Sequence, residues 1–209
     1  MQNRIRKTCR LYENCPDCGV ASIACICHQI EPLKTTSNYV ILTSFNEATR
    51  ASSTGRLFQL MNPGSTEIVL WERTKPPLKL IQQLDADTML VFPAFNEAMQ
   101  RRVSNSKAKA NGHYILIDGT WDEARKIIRK SPYLEALPIV SLVTKSKSAY
   151  TLRRNGNIDG GLCTIEAIIE LLILQGEDQH AKTVARNFEL FMSAFRAGQS
   201  GHKLSLQAK

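Results

Sequence analysis

The chain has 209 residues, of which 43% are hydrophobic and 22% charged. This is an ordinary globular balance and enough length to bury a core of its own. No apolar run reaches the length of a bilayer span, and no apolar signal core follows the basic start Met1 to Lys7, so a cytoplasmic address is expected. Lys and Arg number 27 against 19 Asp and Glu, a net charge of +8 that favours polyanionic partners through phosphate attraction.

In chain order, residues 1–34 come first as a cysteine-rich segment, followed by a larger unit over residues 35–209. Five of the six cysteines fall between Cys9 and Cys27, and only Cys163 lies elsewhere. A disulfide scaffold would spread its cysteines, so the clustering points to metal binding in a reducing compartment. Cys15-Pro16-Asp17-Cys18 is a C-x2-C pair, and Cys25-Ile26-Cys27 is a C-x-C pair just beyond it. Four thiolates at this density close a tetrahedral site, with the C-x2-C loop presenting two sulfurs to one ion. A redox pair at Cys15 and Cys18 would open a helix after a strand, and no strand candidate precedes it. Cys15, Cys18, Cys25 and Cys27 are therefore the expected ligands of a structural Zn2+, with Cys9 and His28 as spares. Little hydrophobic bulk lies between Cys15 and Cys27, so the segment should depend on its metal for shape.

Apolar runs then predict strands at Tyr39–Leu42, Glu67–Trp71, Met89–Phe92, Tyr114–Ile117 and Ile139–Val143. Helices are expected between them, at Lys79–Leu84, Glu97–Val103 and Trp121–Lys130. A further helix begins near Asn46–Arg50 and leads to Ser53–Leu57. Two longer helices close the chain: Ile165–Gln175, stopped at Gly176, and Ala181–Ala197, stopped at Gly198. Ser104–Lys109 reads as a mobile polar loop, and the tail after Gly198 as frayed. Alternation of this kind predicts an α/β fold with a largely parallel sheet flanked by helices.

The fourth strand ends at Asp118, on the sheet edge where open α/β folds bind ligands. Gly119 allows a tight turn. Thr120-Trp121-Asp122-Glu123 fits a capping box, so Thr120 is expected to cap the next helix. That helix has Ala124, Ile127 and Ile128 on one face, and Arg125, Lys126, Arg129 and Lys130 toward solvent or a partner. A carboxylate directly after an apolar strand either caps a neighbour or does chemistry. Trp121 either packs in the core or offers a stacking surface.

The segment Ile117-Asp118-Gly119-Thr120-Trp121-x-x-Ala124-Arg125-Lys126, followed by Ser131-Pro132 and Leu137-Pro138, resembles the DTW-domain family. Other landmarks agree in order: the four cysteines, Thr54-Gly55-Arg56-Leu57, Phe92-Pro93, Tyr150-Thr151-Leu152-Arg153, and Leu162-Cys163-Thr164-Ile165-Glu166-Ala167. The resemblance spans about Cys15 to Leu174. Two departures stand out: Cys163 replaces the usual serine, and Ser44-Phe45-Asn46-Glu47 replaces His-Pro-x-Glu.

The resemblance implies a tRNA-uridine aminocarboxypropyltransferase, which moves the 3-amino-3-carboxypropyl group of S-adenosylmethionine to N3 of a uridine and releases methylthioadenosine. It also implies a fold similar to the SPOUT superfamily, with a carboxyl-terminal trefoil knot that composition and periodicity do not reveal. Candidate catalytic residues are Asp118, as the base for the N3 proton or as a group that orients the uracil, with Thr120 and Trp121. Candidate cofactor contacts are Phe92, Pro93, Asp118, Gly119, Leu137, Leu152, Arg153, Cys163, Thr164 and Glu166, the last for the amino group of the methionine moiety. Candidate RNA contacts are Arg56, Lys145, Lys147, Tyr150 as a stacking ring, Arg153 and Arg154. Further basic stretches are Arg101-Arg102 and Arg125-Lys126 with Arg129-Lys130. Competing readings are a SPOUT-type RNA methyltransferase and a non-catalytic zinc-bearing RNA-binding protein. The sequence leaves the oligomeric state open, with a monomer favoured slightly over the dimer common among SPOUT-like enzymes.

Overall fold

A computed structural model describes residues 5–142, 150 and 161–205. The sheet strands are β1 (Asn38–Ser44), β2 (Thr66–Trp71), β3 (Thr88–Val91), β4 (His113–Asp118) and β5 (Ile139–Val140). They pair in the order β2-β1-β4-β3-β5, all parallel. The helices are α1 (Phe45–Ala48), α2 (Thr54–Met61), α3 (Leu78–Gln83), α4 (Glu97–Gln100), α5 (Trp121–Arg129), α6 (Thr164–Leu174) and α7 (Asp178–Gln199). No described helix is long and apolar enough to cross a membrane.

The continuous apolar runs arise because both faces of the sheet are covered. Alternate residues of each strand enter different cores. Tyr39, Ile41, Tyr114 and Leu116 pack in one cluster, with Phe58, Leu171, Leu172 and Phe191 of α2, α6 and α7. Leu42, Leu90, Ile115 and Ile139 pack in the other, with Leu80 and Ile127 of α3 and α5. Parallel strands side by side bring all their carboxyl ends to one edge, and the site lies there.

The cysteine segment has more hydrophobic anchoring than its composition suggested. Cys18, Val20, Ala24 and Ile26 are buried and belong to the same cluster as α6 and α7. This docking explains Gly198, expected as a helix stop. A β-carbon there would lie 3.1 Å from that of Ala21, so the glycine serves close packing. The helix continues to Gln199 and turns at Gly201, where φ is +75°. Gly176 does stop α6, at φ +78°.

Four other expectations change. Two short helices with separate serine caps replace the single one expected over residues 46–57. The helix expected through Val103 ends at Gln100, and Val103 instead bridges to Ile139. The loop expected to be mobile is pinned, because the Asn105 amide donates to the Ser141 carbonyl and its oxygen accepts from the Ser141 N–H. Strand β5 is shorter than its apolar run, with Val143 outside the described residues. The path between β5 and α6, on which the expected carboxyl-terminal knot would be read, includes residues 143–149 and 151–160, also outside the described residues.

Candidate active site and metal centre

Asp118 closes β4 and is 2% exposed. Its Oδ1 accepts a hydrogen bond from Thr164 Oγ1 at 2.5 Å, and its Oδ2 one from Ser53 Oγ at 3.0 Å. Its backbone carbonyl accepts from Thr43 Oγ1 at 3.2 Å. Ser53 caps α2 and Thr164 opens α6. One carboxylate therefore fixes the amino ends of two helices against the sheet edge. Gly55 makes this possible. A β-carbon at Gly55 would lie 2.9 Å from Asp118 Oδ2 and 2.7 Å from Ile41 Cγ2, closer than real side chains approach.

The turn beyond Asp118 is held by its own cap. Thr120 Oγ1 accepts from the Glu123 N–H at 3.3 Å, while Glu123 Oε2 accepts from the Thr120 N–H at 2.8 Å. Arg50 bridges Glu123, at 3.2 Å, to the fully buried Glu47. Burial opposes charge on Glu123. The Thr120 donors and the Arg50 guanidinium outweigh it and hold the carboxyl below the usual glutamate range. Thus Thr120 has the structural role expected of it, and the buried Glu47 supports the same turn.

A cavity of about 480 Å³ opens at this edge. Phe92, Pro93, Leu142 and Trp121 give it apolar walls, and Asp118, Gly119, Thr120, Thr54, Cys163 and Thr164 give it a polar side. Its size and mixed lining suit a small organic ligand with one flat and one polar part. Trp121 meets Phe92 edge-on, with centroids 5.6 Å apart and an interplanar angle of 62°. Its ring is thus both packed and part of the wall.

The structure brings Phe92, Pro93, Asp118, Gly119, Thr120, Trp121, Tyr150, Cys163 and Thr164 to this one cavity. It does not bring Leu137, which is buried in the second core with its carbonyl taken by Arg102 at 2.9 Å. Arg102, expected among the RNA contacts, also reaches the Leu134 carbonyl. Glu166 turns back on its own helix, where Oε2 accepts from the Cys163 N–H at 2.9 Å; this end-cap is a different task from gripping an amino group. Burial and the Glu166 charge push the Cys163 thiol well above its usual range. Arg56 points inward, donating to the carbonyls of Arg50 and Ala48, so its guanidinium is not offered to RNA phosphate. Tyr150 is 3% exposed; its hydroxyl donates to the Ser52 carbonyl at 2.7 Å and its ring stacks on Phe188, so it is a cavity wall and not a surface platform. Leu152, Arg153, Arg154, Lys145 and Lys147 lie outside the described residues. Sequence reasoning missed Ser53, whose only local signal was a serine at a helix start, and Thr54.

The four expected metal ligands do converge. One ligand atom from each of Cys15, Cys18, Cys25 and Cys27 lies within 4.8 Å of all the others. Cys15 and Cys27 sulfurs are 3.6 Å apart, and Cys18 and Cys25 sulfurs 3.9 Å. A tetrahedral centre with Zn–S bonds of ~2.3 Å spaces its sulfurs ~3.8 Å apart. Backbone N–H groups of Asp17 and Cys18 point at the Cys15 sulfur, and those of Val20 and Ile26 at the Cys18 sulfur. Burial, with repulsion from neighbouring thiolates, pushes Cys18 up to about 11. Thiolates packed this closely repel one another and call for a cation between them, so the set can hold a metal ion. Cys9 stands apart and is a free, buried thiol.

Comparison with known proteins adds two findings. Residues 12–196 match the model of the DTW domain family. A curated relative, tRNA-uridine aminocarboxypropyltransferase 2 of Drosophila melanogaster, is 29% identical over 182 residues, covering 82% of this chain and 70% of that protein. No solved structure matches this chain.

Proposed function

The chain belongs to the DTW domain family, and from that premise we propose that it is an S-adenosylmethionine-dependent tRNA-uridine aminocarboxypropyltransferase. The observation that carries the reading is the cavity of about 480 Å³ at the carboxyl edge of the sheet, walled by the family's own Asp118, Thr120 and Trp121. The name of the Drosophila relative supports the reaction, and the net charge of +8 suits an RNA substrate.

S-adenosylmethionine, when bound, supplies an electrophilic γ-carbon and a good leaving group. Everything else asked of the protein is positioning, plus removal of the uridine N3 proton. Phe92 and Trp121 offer flat apolar surface for an adenine ring, and the polar side around Gly119 and Thr164 faces the methionine end. Asp118 takes the orienting role in this proposal. Each of its carboxylate oxygens already accepts a hydroxyl proton, so its charge is directed into the protein rather than freely toward a substrate. Structural zinc on the four cysteines, and a SPOUT-like path with a knot beyond β5, belong to the same proposal.

The test incubates the protein with tRNA and S-adenosylmethionine labelled in its carboxyl group. Label entering the RNA, with methylthioadenosine released, is the expected outcome. Methyl transfer would leave the RNA unlabelled and overturn the proposal, as would failure to bind the cofactor.

A further inference from the structure

Two features beside the cavity are not used by the reaction as described. The first is Phe95, which is 52% exposed. Its ring meets Phe92 edge-on, with centroids 6.1 Å apart at 80°, and Phe92 in turn meets Trp121. Three aromatic rings thus run in unbroken contact from the cavity wall out to solvent. Packing accounts for Phe92 and Trp121, which belong to or border the second core, but Phe95 belongs to neither core cluster. The second feature is the outer face of α5. Arg125 and Arg129 follow Trp121 at i+4 and i+8, so the three share one side of the helix. Both arginines are exposed; Arg125, which pairs with the exposed Asp122 at 2.6 Å, also lines the cavity. Lys126 and Lys130 are exposed beside them.

An exposed aromatic ring that reaches the cavity wall through Phe92, and a row of arginines that begins at the same wall, have the chemistry of a nucleic-acid contact. A uridine stacked inside a helix cannot present N3, so the substrate must be splayed, and splayed bases are held on aromatic faces. Arginine forks hold phosphates in two-pronged geometry. We propose that Phe95, Arg125 and Arg129 form the RNA-docking strip of this protein: a base of the tRNA stacks on Phe95 while its backbone follows α5. This rests on the aminocarboxypropyltransferase reading and adds where the RNA lies.

The test measures tRNA affinity, cofactor affinity and transfer for the wild type, Phe95→Ala, Phe95→Leu, Phe95→Trp and Arg129→Gln. Base stacking on a protein ring is worth roughly ten- to hundredfold in affinity, so Phe95→Ala should weaken tRNA binding by about that factor and leave cofactor affinity unchanged. Phe95→Trp should restore binding and Phe95→Leu should not, which separates stacking from mere apolar bulk. Arg129→Gln should flatten the salt dependence of binding by about 0.7 to 0.9 in log–log slope, one phosphate's worth. Wild-type tRNA affinity in Phe95→Ala, or equal rescue by leucine and tryptophan, would overturn the strip. So would a Phe95→Ala change confined to oligomeric state, measured by light scattering, because the ring would then cover a second copy. A wild type that binds and modifies no tRNA would sink the underlying reading instead.

Discussion

Asp118 holds the ends of two helices through one carboxylate, and the orienting role proposed for it rests on those two bonds. Replacing it by asparagine removes one acceptor and leaves either Ser53 or Thr164 facing an amide N–H. Asp118→Asn should keep the fold and lower transfer at least tenfold, chiefly through misplaced helix ends. Raising the pH separates the roles. A lost base would be replaced as uridine N3 ionises by itself, whereas a lost positioning group would not. Recovery of the variant's rate at high pH would therefore refute the orienting role. Gly55→Ala tests the same contact from the other side. Its β-carbon would meet buried Asp118 and Ile41, so a loss of about 1–3 kcal/mol is expected, read by denaturant unfolding. Glu123 bears on acid stability. Its folded pKa is depressed, so its contribution is present above the unfolded value of 4.5 and is lost as pH falls through the lower folded value. Glu123→Gln should be less stable than wild type near neutrality, and the gap should close on acidification. A gap that stays constant down through that range would contradict the assignment.

At the scale of elements, the cysteine knuckle and the loop before α2 are one assembly. Gly19, at φ +80°, lies against this loop. A β-carbon there would come within 2.4 Å of the Ala51 carbonyl oxygen and 2.7 Å of Arg56 Nη1. Arg56 holds the carbonyls of Ala48 and Arg50, and the same loop leads to Ser53 and Thr54 at the cavity. Removing the metal should therefore weaken S-adenosylmethionine binding as well as lower the melting temperature. The α/β body should keep most of its circular dichroism, because one of its two cores contains no residue of the cysteine segment. Chelation that leaves cofactor affinity and melting temperature untouched would show that the knuckle is independent. Much of this scale was legible beforehand. The Thr120 and Glu123 cap joins residues three apart, and the two cysteine pairs are close in sequence, so local spacing reveals them. The partners of Asp118 are 65 and 46 positions away, and no local pattern marks them.

Across the whole molecule, charge is distributed unevenly in use. Of the arginines expected to meet RNA, Arg56 and Arg102 are spent on backbone carbonyls, while Arg125 and Arg129 remain exposed on α5. The same residue type thus stabilises loops in one place and offers charge in another, and composition cannot separate the two. Binding to tRNA should fall steeply as salt rises, since each released counterion adds to the slope. A flat response, measured by filter binding, would count against an RNA substrate. What the amino-acid order by itself determined is the set of short-range features: five apolar runs that form strands, caps read from neighbouring residues, glycine at Gly176, and four cysteines able to reach one ion. These follow from local propensity and spacing. Only the tertiary structure decided which distant groups meet. It brought Ser53 and Thr164 onto Asp118, turned Arg56 and Tyr150 inward, left Phe95 in water, and made Gly198 a packing surface. Those outcomes depend on how parallel strands and covering helices stack, which no window of sequence contains.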